Sequence, residues 1–260
     1  MLELLRDTYR YRELIWILAV KELKVRYKRS LLGVLWAFLN PLMMTAIFVV
    51  VFSTFRVGRF GIENYAIFLL CAMFPFTFYQ HSMVYAVQSI IANGSLIKKV
   101  YIPKFVFPLA AVLANFFNLM LSLIPLAFFL WVFGHPFHKT WLYLPVPMLG
   151  LLLFTVGCGF AVAALGVFLH DIGHMLEVFL RAYFFLCPVL YDLEHIPARF
   201  HPVLIWNPML HILRGFRLPI YAGELPDPYS ALISILVGVV ALVLGYAIFR
   251  RFQDSFAIHV

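Results

Sequence analysis

From Tyr65 to Ile97 the chain carries no Asp, Glu, Lys or Arg over 33 residues, and neither Phe105–Phe133 nor Trp141–Leu169 contains a charge. About 20 apolar residues in a helix cross the hydrocarbon core of a bilayer, and inside lipid only a helix or a closed barrel satisfies every backbone polar group. Composition agrees, because 64% of residues are hydrophobic and only 12% charged, against about a quarter charged in soluble domains. The expected fold is an all-α polytopic membrane protein. At 260 residues there is room for about six spans and short connections, and none for a separate soluble domain.

The chain then divides as one transmembrane domain, 1–260. Residues 1–30 read as an amphipathic helix at the membrane interface, with Trp16, Ala19, Val20, Leu23 and Tyr27 on one face and Lys21, Lys24 and Lys28 on another. Acidic residues at Glu3, Asp7 and Glu13 interrupt any signal-peptide pattern, so this segment is expected to stay in the mature protein. Spans one to five fall within 31–190. The first, Leu31–Phe55, is kinked at Asn40-Pro41, and the second, from Tyr65, is expected to break at Pro75. The fifth, Met175–Leu190, is short. Residues 191–228, with Pro197, Asn207-Pro208 and Pro219, hold two short re-entrant or interfacial helices on the far side. The sixth span covers 229–250, and 251–260 is a tail.

Charge orients this arrangement. Of the 20 Lys and Arg, eight lie in residues 1–30, three in the connection between spans two and three and two at Arg250 and Arg251, against six on the opposite side. The positive-inside rule therefore places both termini in the cytoplasm. The net charge of +8 follows from these flanks, and nucleic acid is not implied.

The connection itself, Ile91–Val106, is a basic turn with Gly94 as a helix stop, Lys98, Lys99 and Lys104, and Pro103 ahead of the next helix, which reads as a defined short helix. No GxxxxGK[ST] occurs, so any nucleotide is used by a partner. His170-Asp171-xx-His174 reads as a solvated turn, because no carboxylate cluster joins it as a metal or acid–base site. Glu177 and Arg181 have the i, i+4 order of an ion pair within the membrane. Cys71, Cys158 and Cys187 lie in apolar runs without ligand spacing and read as core or lipid-facing residues.

Four stretches together resemble the membrane subunit of bacterial ABC-type polysaccharide exporters, the permeases of O-antigen, capsule and teichoic acid export. They are Arg26–Trp36 with Asn40-Pro41-Leu42; Phe74-Pro75-Phe76; Leu96–Pro103; and Pro188–Tyr191 with Ile196-Pro197, Asn207-Pro208 and Arg214. The resemblance implies a homodimer in the bacterial inner membrane bound to two copies of a cytoplasmic ABC ATPase. ATP and Mg would sit on that partner, and the chain itself would be no enzyme and hold no cofactor or metal. It also implies a coupling helix over Gly94–Tyr101, with Gly94, Ser95, Leu96, Lys98, Lys99 and Tyr101 as its contact residues. His170 stands where the family has an arginine, which would make that contact pH-sensitive.

Two further roles are expected on this basis. Arg26, Lys28 and Arg29 at the membrane surface would attract the pyrophosphate of a polyprenyl-linked polysaccharide. Phe74, Phe76, Tyr79, Tyr183 and Phe184 would line the glycan path, since aromatic faces stack on sugar rings without directional trapping. The expected function is export of such a polymer, O-antigen first, through a dimeric channel. Alternatives are a permease for capsule or teichoic acid polymers or for a small lipid or drug, an intramembrane enzyme, and a subunit without transport activity.

Overall fold

The computed structural model describes residues 2–27, 64–169, 171–193 and 196–256, with scattered positions between 35 and 62. Span one therefore lies almost wholly outside the described residues, as do Lys28, Arg29, Asn40, Pro41 and His170. Among the described residues every regular element is helical: α1 (Leu2–Arg10), α2 (Arg12–Tyr27), α3 (Tyr65–Ser89), α4 (Gly94–Lys99), α5 (Val106–Val132), α6 (Pro145–Phe168), α7 (Ile172–Leu186), α8 (His201–Ile205), α9 (Pro208–Arg217) and α10 (Pro228–Phe252). Four segments among them are long and apolar enough to cross a membrane: Tyr65–Ser89, Val106–Val132, Lys139–Phe168 and Pro228–Ser255.

Helix α3 is the hub. It packs on α5, α6, α7 and α9 and buries residues on every side, from Ile67 to Val87. Pro75 does not break it, contrary to the sequence expectation; the helix runs through Pro75 to Ser89. Neighbouring helices tolerate proline in such a segment by holding it from outside. The turn of polarity comes later, at Ser89–Asn93, where a 3-10 turn over Ile91–Asn93 takes over.

Helix α10 is the opposite case. Its inward residues are Ser230, Ser234, Gly238, Gly245 and Phe249, while Leu232, Leu236, Val240 and Leu244 lie exposed. Small residues let two backbones approach, which is how helices associate in lipid. The facing helix α6 supplies Gly150 and Gly157: a Cβ at Gly157 would fall on the backbone of Ala241 and Leu242, and one at Gly245 on the carbonyl of Gly157.

The N-terminal segment is two helices, separated at Tyr11. Helix α2 packs on α5, and its buried residues are Ile15, Leu18 and Ala19, whereas Trp16 is 64% exposed. The face read from spacing is thus only partly the one that packs, because α2 turns Ile15 and Leu18 toward α5. In the segment before α10, α8 and α9 are the two short helices expected there. Helix α7 spans 15 residues, buries only Leu180 along its length and exposes Met175, Val178, Phe179 and Phe185.

Candidate functional site

The polar turn between α3 and α5 is built from its ends inward. Asn93 is buried; its side chain donates to the Ser89 carbonyl at 2.9 Å and accepts from Lys21 Nζ at 3.1 Å, joining the end of α3 to α2. Gly94 is no helix stop. It has helical dihedrals, opens α4 and is itself buried, so the chain re-enters a helix where a stop was expected. Beyond Lys99 the backbone extends at Val100, and Lys104 Nζ donates to the Gln253 carbonyl at 2.5 Å. Between these anchors the side chains face outward: Ser95, Lys98, Lys99 and Val100 are exposed and Tyr101 is 99% exposed. Leu96 is half-buried against the core. Two ammonium groups on the short helix and a phenol just beyond it are thus turned outward on a segment anchored before and after it.

Beside the turn, Gln88, Ile91, Gly166, His174 and Glu177 line an open cleft of about 120 Å³. Glu177 and Arg181 lie 3.9 Å apart, as their spacing predicted, with both side chains largely exposed.

Four of the five aromatic residues singled out in the sequence meet. Phe76 lies 5.3 Å from Phe184 and 6.1 Å from Tyr183, and Tyr79 lies 6.1 Å from Tyr183. Tyr79 also stacks on Phe154 at 5.5 Å, which extends the cluster to α6. Phe74 is buried but, two residues from Phe76 on a helix of 3.6 residues per turn, points to the opposite side. Phe76 and Tyr79 are buried, so in the single chain these rings are a packed contact between α3, α6 and α7. The Tyr183 hydroxyl donates to Asn207 Oδ1 at 2.7 Å, and the same oxygen caps α9 through Met209 N–H at 3.0 Å.

Arg26 turns inward. Its Nη1 donates to Asn115 Oδ1 at 2.9 Å and its guanidinium lies 4.0 Å from the Tyr85 ring centroid. It fastens the end of α2 to α3 and α5, a role that charge counting did not indicate.

Sequence reasoning also passed over Arg217. It is 4% exposed, donates to the carbonyls of Pro188 at 2.8 Å, Val189 at 2.9 Å and Tyr191 at 3.3 Å, and lies 3.7 Å above the Phe68 ring. Burial pushes its pKa down to about 10, with Asp192 pulling it back up, and the side chain keeps its proton at neutral pH. Nothing in the sequence pairs it with carbonyls some thirty residues upstream. Among the described residues no three His, Cys, Asp or Glu gather as metal ligands.

Long apolar helices packed around a buried hub, with one basic turn exposed between two of them, define a polytopic membrane protein. The chain belongs to the ABC-2 type transporter family, whose model matches residues 13–221. It is 33% identical to the O-antigen export system permease protein RfbA of Myxococcus xanthus across 99% of both chains. It is 30% identical to the RfbA protein of Klebsiella pneumoniae across 94% of both, and 24% identical to the polysialic acid transport protein KpsM of Escherichia coli across 92% of this chain and 93% of that one.

Proposed function

We propose that this chain is the transmembrane subunit of an ATP-driven exporter of a polyprenyl-pyrophosphate-linked polysaccharide, an O-antigen in the first instance. The observation that carries the reading is end-to-end similarity to two proteins whose names state O-antigen export. Two copies form the channel in the inner membrane, each with six spans, an interfacial N-terminal helix and cytoplasmic termini, and α8 and α9 close its far end. ATP is hydrolysed by two copies of a cytoplasmic subunit that push on Gly94–Tyr101. The exposure of Ser95, Lys98, Lys99 and Tyr101 supports that surface. The chain holds no cofactor of its own.

In this reading Lys28 and Arg29, together with the field of the anchored Arg26, attract the pyrophosphate. The ring cluster of Phe76, Tyr79, Tyr183 and Phe184, with Phe74 on the far face of α3, borders the glycan path and parts when the channel opens. Capsule-type polymers are the second reading, supported by the similarity to KpsM.

One complementation experiment tests all of this. A deletion strain should lose surface polymer and accumulate lipid-linked polymer inside, and the wild-type chain should restore export. Three variants that still insert should not restore it: K98A/K99A/Y101A for the turn, R26Q/K28Q/R29Q for the pyrophosphate, and alanine at the five aromatic positions for the path. Full export by any one of them removes the role assigned to that group. Normal surface polymer in the deletion strain rejects the polysaccharide reading outright.

A further inference from the structure

We infer that the segment that follows α10, Gln253 to Phe256, is a strut that sets the position of the turn Gly94–Tyr101, with Lys104 and Phe256 as its positioning residues. The inference rests on the proposal that the ATPase pushes on this turn. A six-residue helix is not stable by itself, so a force on its outer face moves the spans only if both ends are fixed. The first end is fixed by Asn93, which accepts from Lys21 of α2 at 3.1 Å and lies directly before Gly94. The second end runs into extended or irregular chain over Val100 to Pro103, where Ile102 is half-buried against the core.

Lys104 adds a polar anchor on the far side of this segment. Its ammonium donates to the Gln253 carbonyl at 2.5 Å and lies 6.0 Å from the Phe256 ring. The Gln253 carbonyl also accepts the Phe256 N–H at the close of the 3-10 turn that continues α10, and the partial negative charge at a helix C-terminus favours a cation there. Phe256 is 0% exposed, lodged 5.2 Å from Phe249 and 6.0 Å from Phe168, the last residue of α6. Arg250, three residues before Gln253, forms an ion pair with Glu3 of α1 at 2.7 Å. The turn is thereby held between the N-terminal helices and the two spans α6 and α10, and a push on Lys98, Lys99 and Tyr101 reaches α10 through Lys104.

The test uses the complex of the full chain with its ATPase subunit, measuring ATP hydrolysis by the purified complex and surface polymer in the complemented strain. K104Q and F256A should keep ATP hydrolysis while polymer exported per ATP falls about tenfold, the factor that one charge-assisted hydrogen bond contributes to an equilibrium. K104R should restore most of it. A wild-type ratio in K104Q and F256A, alongside a low ratio in K98A/K99A/Y101A, overturns the strut and leaves the coupling turn standing. A wild-type ratio in all of them overturns the coupling reading, and the strut with it. If F256A fails to assemble with the ATPase, K104Q decides alone, since it removes one charge and leaves the packed rings untouched.

Discussion

Arg217 shows how much a single buried side chain can hold. Its guanidinium serves three carbonyls on the segment Pro188–Tyr191 and rests on Phe68, tying α9 to the chain after α7 and to the hub helix. Replacing a buried ion pair by an apolar residue can be neutral, because both charges leave together. Here the partners are backbone carbonyls, which stay buried and unpaired when the arginine goes, at about 1–3 kcal/mol each in the worst case. R217M should therefore lower the melting temperature of the detergent-solubilised protein by roughly 6 °C or more, since about 1 kcal/mol for each of three carbonyls, at 2–4 °C per kcal/mol for a chain of this size, sets the lower end. R217K should recover only part, because one ammonium does not reproduce a planar fork. An unchanged melting temperature in R217M rejects this account. Arg26 makes the same point from the other direction: charge counting marked it as a surface cation, whereas Asn115 and Tyr85 hold it against α3 and α5.

At the scale of elements, the contact between α6 and α10 is set by what is missing from it. Glycines at 150 and 157 face Ser234, Gly238, Ala241 and Gly245, with no room for a Cβ at Gly157 or Gly245. G245L should push the helices apart and cost about 1–3 kcal/mol or more, the usual range for overpacking, read as a lower melting temperature and poorer yield of inserted protein. G173A is the control, since a Cβ there meets nothing within 4 Å. Equal stability of the two variants would show that the close approach is not what holds this pair. The four long helices α3, α5, α6 and α10 were legible as apolar runs, and their lengths followed from the bilayer. The course of α3 through Pro75 was not, because local propensity disfavours proline while packing from α5, α6 and α9 overrides it. The break at Tyr11 and the helical role of Gly94 also escaped the reading from spacing.

For the whole molecule, the sequence by itself determined an α-helical membrane chain with the bulk of its positive charge at the termini and at one turn. These follow from the cost of burying charge and unpaired backbone in lipid, which any long uncharged run must obey. It also contained the family resemblance, and the match over residues 13–221 agrees with it. Of the candidate site, the exposed residues of the turn and the Glu177–Arg181 pair were legible, since each depends on near neighbours in the chain. The rest was decided only in the tertiary structure: which aromatic rings meet, that Arg26 and Arg217 turn inward, and that Lys104 reaches the end of α10, 149 residues on. Apolar spans look alike to composition and differ only in the neighbours they meet, so which faces touch is fixed by shape and by the few polar groups that must find a partner.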